Sequence, residues 1–381
     1  MTPGPEIKGW CPGALRPMQS GDGLVVRIRP PLGCLTPAQA AAIAVAATSH
    51  GNGTLDLSAR ANLQLRGVTE ASHPRLIDDL GARGLIDPDI ETESLRNLIV
   101  SPFRDAGTST LATALTAALT RMPRLPGKFG FALDTGPRPV LIGASADIRV
   151  ERAGDGRLVL RPDGHALGRP VTDLATDAIA MANWFVANGG ITGGRGRMAA
   201  LIAKGIVPPG CILAPAAPLA VPTPGLYPDG ALVALAFGQM RSETLRAVAS
   251  LGHEIRPTPW RMLFLVGAKA LPVIPGLICD PADPILRVAA CTGAPGCPQG
   301  LGETRTLARA LAPLLPLGQT LHVSGCAKGC AHPGPCNLAL TATPQGYDLI
   351  RSGTASDTPS LSGLTPKAIM DHLKALNAPH L

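Results

Sequence analysis

At 381 residues, 45% apolar and only 3% aromatic, the chain can form two or three domains and a sizeable core without disulfides. Its net charge of +7 comes with no Lys/Arg-rich block interleaved with aromatics, which argues against nucleic acid and leaves a polycarboxylated small molecule as the better-suited partner. The 44 Gly and 39 Pro favour short elements and many turns rather than disorder, because apolar runs recur along the whole chain.

The N-terminal "MTPGPEIKGWCPGALRPM" lacks the apolar run of a secretory signal, and no stretch of about 18 apolar residues follows it. A cytoplasmic chain with no membrane span is expected. Thiols stay reduced there, so clustered cysteines point to metal binding or catalysis. From Gly21 the pattern predicts strand, turn, Ala-rich helix and strand, ending in "DLSARANLQLRGV", Asp56 to Val68. Alternation puts Arg60, Asn62, Gln64 and Arg66 on one strand face. Arginine forks there suit carboxylates, the competing reading being surface charge. Arg96 in "SLRNLIVSP", and Arg124 and Lys128 in "RMPRLPGKFGFALD", extend the cationic set. Between them "LATALTAALT" reads as a buried helix. "ADIRVERAGDGRLVLRPDG" predicts a hairpin around Asp155-Gly156, followed by a helix from about Val171 to Asn188. "GGITGGRGRM", Gly189 to Met198, fits no phosphate-binding spacing and reads as a loop.

Beyond a Pro-rich linker, Val207 to Gly225, the chain repeats itself. "GALVALAFGQMRSETLRAVASLGHE" repeats strand and helix. "RPTPWRMLFLVGA", Arg256 to Ala268, aligns without gaps on Asp56 to Val68, with Leu263, Leu265 and Gly267 in place of Leu63, Leu65 and Gly67. The polar face of the first copy is replaced by Trp260, Met262, Phe264 and Val266. "NLALTATPQGYDLIRSG" predicts a second hairpin around Gln345-Gly346, with a helix from about Pro366 to Ala375. The expected organisation is an N-terminal segment and first half-module (1–72), a first α/β lobe (73–206), the linker (207–225), a second half-module (226–272) and a second lobe (273–381). Fused duplicates tend to place a site between the halves.

Six of the nine cysteines fall after residue 278. Cys291 and Cys297 are spaced C-x5-C, and Cys326 and Cys330 C-x3-C. Four thiolates in two pairs suit an iron–sulfur cluster or tetrahedral zinc, and reactive or inert thiols are the remaining reading. The wide first spacing and the Gly-Pro-rich loops favour something bulkier than one zinc ion. Cys11, Cys34, Cys211, Cys279 and Cys336 read as structural thiols. His322 and His332 flank the cysteine loop, and each is more readily structural than a ligand.

C-x5-C followed by C-x3-C, two similar halves and "R-x-N-x-Q-x-R-G" together resemble the sulfite/nitrite reductase hemoprotein superfamily, from about Gly21 to Gly353. The resemblance implies an α+β, duplicated nitrite/sulfite reductase-like fold: two ferredoxin-like half-modules plus two α/β lobes around a central cleft. It implies a [4Fe-4S] cluster on Cys291, Cys297, Cys326 and Cys330, and tetrapyrrole carboxylates on Arg60, Arg66 and Arg96, with Asn62 and Gln64 beside them. Lys128 matches the first of the family's two active-site lysines, but Gly130 stands at the second. Lys328 replaces an asparagine in "CAKGC". These variant segments, with "KGWCPGALRPMQSGDGL", look most like the precorrin-3B synthase branch. That branch implies oxygen-dependent C-20 hydroxylation and γ-lactone formation on precorrin-3A, with molecular oxygen, an external electron donor and room for an additional iron, for which only His322 and His332 are candidates. The alternative is a siroheme-dependent sulfite or nitrite reductase. A non-catalytic cluster or zinc protein is the rival from another class.

Overall fold

The computed structural model describes residues 12–377. Cys11, expected as a structural thiol, lies outside them. Four five-stranded sheets organise the described residues. The first contains β1 (Met18–Ser20), β2 (Gly23–Ile28), β3 (Thr54–Leu57) and β4 (Leu63–Val68), with α1 (Pro37–His50) between β2 and β3. α1 starts on a capping box: Thr36 Oγ1 accepts from Gln39 N, Gln39 Oε1 accepts from Thr36 N, and Pro37 presets the first turn. After α2 (His73–Gly81) and α3 (Ile90–Leu95), the second sheet takes β5 (Leu98–Val100), β6 (Phe131–Asp134), β7 (Ile148–Arg152), β8 (Leu158–Pro162) and β9 (Arg169–Pro170) in that order. It packs with α4 (Ala106–Ala118), α5 (Leu174–Ala187) and α6 (Met198–Ile202) on its own core.

The third sheet holds β10 (Gly225–Tyr227), β11 (Gly230–Leu235), β13 (Ile255–Pro257), β14 (Met262–Val266) and β15 (Leu277–Ile278). The strand between β11 and β13 in sequence, β12 (Gln239–Arg241), pairs with β3 and completes the first sheet. The fourth sheet runs β16 (Val288–Ala290), β17 (Leu321–Ser324), β18 (Cys336–Thr343), β19 (Gly346–Gly353) and β20 (Leu361–Leu364), with α8 (Arg305–Leu311) and α9 (Pro366–Asn377) on a third core. α7 (Ser242–Ser250) lies in the second half and packs on α1. One core joins the first and third sheets, drawing Val26, Ile28, Leu63 and Leu65 together with Ala231, Val233, Leu263 and Leu265.

The duplication extends to backbone conformation and register. Leu55↔Leu65 and Leu57↔Leu63 recur as Ile255↔Leu265 and Pro257↔Leu263. In the lobes, the parallel pairs Leu98↔Phe131 and Phe131↔Ile148 recur at one constant interval as Val288↔Leu321 and Leu321↔Leu338. Two non-glycine residues of each half take the left-handed conformation at matching places: Leu32 and Ala61 in the first, Phe237 and Arg261 in the second. Such residues are disfavoured by about 1–2 kcal/mol each, so their recurrence marks a shared backbone template rather than local sequence preference.

Three sequence-based expectations change. β4 begins at Leu63, and the left-handed Ala61 sits between Arg60 and Asn62. The four polar residues therefore do not line one strand face. The proline-rich segment is irregular but pinned: Leu213 pairs with Gly168, Ala216 N donates to Arg152 O, and Leu219 N donates to Pro139 O. The structure also carries β15 back to β11, so the third sheet extends past residue 272.

Candidate active site

The turn at Ala61 sends the polar residues of the first copy to different places. Arg60 points into the first lobe, where its Nη2 donates to Lys128 O at 2.8 Å and to Ser145 Oγ at 3.2 Å. Asn62 faces a small cavity that it shares with Arg29 and Arg96. Gln64 lies mid-strand, opposite Arg27 on β2 and Asp56 on β3. Arg66 is buried at the far end of β4. There it donates to Asp22 through Nε (2.8 Å) and Nη2 (2.6 Å), to Asp56 at 3.3 Å, to Ser20 Oγ and to Gly296 O at 3.0 Å. Gly296 lies in the loop between Cys291 and Cys297, so Arg66 braces the cysteine loop. Its neighbouring carboxylates raise its pKa further against the lowering effect of burial.

Arg96 is also engaged, in a bidentate pair with Asp87 at 2.8 Å through each nitrogen. Arg29, which motif reading passed over, belongs to the same cationic set. It is 4% exposed, and burial lowers its pKa to about 10 despite the Glu93 carboxylate at 3.2 Å. Its Nε has no hydrogen-bond partner. It lines both the small cavity and a larger one of about 760 Å³ with Arg16, Glu93, Arg124, Gly127 and Phe129. The available sign was "VRIRP", whose second arginine follows a strand paired with Gln64.

Lys128 is half-buried in the turn before β6. Asp147, fully buried, accepts from Gly130 N (2.9 Å), from Arg197 Nε (2.9 Å) and from Met198 N (2.8 Å). Burial pushes its pKa up while Arg197 and the backbone donors oppose that. The segment carrying Lys128 is thus fixed from below.

The four cysteines sit on two loops that leave β16 and β17. Leu301 N donates to Gly325 O at 2.7 Å, Gly325 N to Cys291 Sγ at 3.1 Å, and Ser324 Oγ to Cys326 O at 2.7 Å. Burial raises the Cys330 pKa first, and the Cys291, Cys326 and Cys297 sulfurs each raise it further. Cys330 therefore lies within electrostatic reach of the other three sulfurs. A Cβ on Gly325 would meet Gly293 Cα at 3.0 Å and Cys291 Sγ at 3.5 Å, so the loops close tightly around the sulfurs. Four thiols on two adjacent loops are the donor type that an iron–sulfur cluster takes. Among the described residues no three His, Cys, Asp or Glu side chains converge as a single metal ion requires. His322 is fully buried, its ring centroid 6.0 Å from that of His332, and His332 Nε2 lies 3.2 Å from Pro335 O. Cys336 is buried and donates to Leu338 O, as a structural thiol does.

The second copy carries the apolar face that its sequence implied. Met262 and Phe264 pack with Leu232 and Ala234, against Phe103 and Trp260. A cavity of about 390 Å³ lies there, bordered by Trp260, Arg261, Arg287 and His332.

The nitrite/sulfite reductase ferredoxin-like half domain matches residues 16–83. The structure of the Mycobacterium tuberculosis NirA protein superposes with a TM-score of 0.62 at 17% identity, covering 92% of this chain and 79% of that one. The fold is the duplicated nitrite/sulfite reductase-like fold. A precorrin-3B synthase from Sinorhizobium sp. is 32% identical over 93% of this chain and 84% of its own length. The chain belongs to the precorrin-3B synthase family. No helix among the described residues is long and apolar enough to cross a membrane.

Proposed function

We propose that this oxidoreductase converts precorrin-3A into precorrin-3B in aerobic cobalamin biosynthesis, hydroxylating C-20 and closing a γ-lactone with a ring-A acetate. One atom of molecular oxygen enters the product, and the other leaves as water with two electrons and two protons from an external donor. The carrying observation is the 32% identity to a precorrin-3B synthase over 93% of the chain. The arrangement of cations supports it. Arg29, Asn62 and Arg96 gather at one cavity, with Arg60 and Lys128 on the adjoining loop. Guanidinium forks bind carboxylates, and precorrin-3A carries many.

Cys291, Cys297, Cys326 and Cys330 would hold a [4Fe-4S] cluster, which supplies electrons one at a time. Arg66 holds the first cysteine loop in place through Gly296 O. Arg29, Arg60 and Arg96 neutralise and orient substrate carboxylates. Lys128, half-buried on the loop whose carbonyl receives Arg60, would supply a proton to the substrate. Asp147, tied to Gly130 N, keeps that loop from shifting.

The test is turnover of precorrin-3A by the cluster-loaded protein under isotopically labelled oxygen with a reductant. Gain of one labelled oxygen atom in the lactone product is expected. Absence of turnover, together with the sharp visible bands of a bound iron isobacteriochlorin, would return the chain to the siroheme reductase reading.

A further inference from the structure

Gly130 lacks the positive φ that would demand glycine, so its backbone accepts any residue. What excludes a side chain is space. A Cβ there would stand 2.9 Å from Arg60 Nη1 and 3.0 Å from Asn97 O. The Arg60 guanidinium is held in that space from two sides, by Lys128 O at 2.8 Å and by Ser145 Oγ at 3.2 Å. Ser145 Oγ also accepts from Arg197 Nη2 at 3.2 Å, and Arg197 Nε donates to Asp147, which accepts from Gly130 N. The ring of contacts closes on itself: Gly130, Asp147, Arg197, Ser145, Arg60 and the Lys128 backbone.

We infer that Gly130 and Arg60 act as one specificity determinant, the missing side chain at 130 admitting the Arg60 guanidinium beside Lys128. Gly130 is a positioning residue, acting through Arg60, and Ser145 is its second anchor. The exchange puts a permanent charge where a side chain at 130 could have carried a titratable one. A guanidinium held by a backbone carbonyl and a hydroxyl suits fixed recognition of a carboxylate-bearing macrocycle. It is poorly suited to delivering several protons to a small oxyanion. The inference rests on the proposed tetrapyrrole substrate.

A double-mutant cycle on the cluster-loaded protein tests it, with the octacarboxylic tetrapyrrole uroporphyrin III as the probe and Kd read by fluorescence titration without oxygen. Gly130→Ala and Arg60→Ala should each raise Kd about tenfold, the loss of one charge-assisted hydrogen bond. The double variant should bind no more weakly than Arg60→Ala alone. Iron content and Tm show whether each variant folds, since the Asn97 O contact costs stability in both Gly130 variants. If Gly130→Ala does not fold, Ser145→Ala replaces it: this change adds no volume, and its effect on Kd should vanish in the Arg60→Ala background. Multiplicative effects in either cycle, with Arg60→Ala itself weakened, overturn the coupling and leave the substrate reading standing. Unchanged binding by Arg60→Ala overturns both the coupling and the role of Arg60. Failure of the unmodified protein to bind the probe overturns the tetrapyrrole reading, and the inference with it.

Discussion

Arg60 and Arg66 share a motif and look interchangeable in sequence, yet the structure gives them different work. Arg66 is buried between Asp22, Asp56 and the carbonyl of Gly296. Removing one partner of such a buried pair costs about 3–5 kcal/mol, because the others lose their counter-charge. Arg66→Ala should therefore lower the urea midpoint and reduce iron and sulfide per chain. Arg60→Ala should retain both, because its Nη2 bonds go to Lys128 O and Ser145 Oγ in the first lobe, away from the cysteine loops. Equal loss of iron in the two variants would contradict this division. His322 offers a pH test at the same scale. Burial first, then His332 and Arg261, lower its pKa from 6.5 to about 4. The folded state thus favours the neutral ring. Its stabilising contribution is complete above pH 6.5 and is lost as pH falls from 6.5 towards 4, to an upper limit of about 3 kcal/mol. His322→Leu should flatten the fall in urea midpoint between pH 7 and pH 5. An unchanged slope would place the acid sensitivity elsewhere.

Elements with a local signal were legible. The hairpins at Asp155-Gly156 and Gln345-Gly346, the helices α4, α5 and α9, and the strand pair of each half follow from turn residues and periodicity. Ala61 and Arg261 were not legible, because nothing in an alanine or an arginine announces a left-handed backbone. That single turn undoes the alternation that seemed to align Arg60 with Arg66. Arg29 was hidden for a related reason: its partners, Glu93 and the cavity wall from the first lobe, are far away in sequence. The start of α1 is purely local and gives a bounded prediction. Thr36→Ala removes the bond from Gln39 N and should cost about 1 kcal/mol. A denaturation curve should shift by that amount with iron content unchanged, and a larger loss would mean that α1 also anchors the cluster loops.

At the scale of the whole molecule, duplication suggests two separable halves, but the packing joins them. β12 belongs to the second half and pairs with β3 of the first, Met240 opposite Leu55. α1 packs on α7, Leu35 and Ile255 exchange backbone bonds, and one core draws leucines and valines from both halves. The covalent join contributes little beside this. Leu219 and Val221 are 44% and 55% exposed in an irregular stretch. Cutting there raises the entropy of the separated pieces without removing any of the shared apolar contacts, each large side chain of which contributes about 1.5–3 kcal/mol. A protease site inserted after Val221 and cleaved in the folded protein should therefore leave the pieces eluting as one particle, with iron retained, until urea is added. The first piece expressed alone lacks β12, α7 and the third sheet, so it should expose the shared core and fail to give a cooperative melt. Native separation of the cleaved pieces, each melting cooperatively, would show that the halves fold independently and that the common core is a contact surface between them.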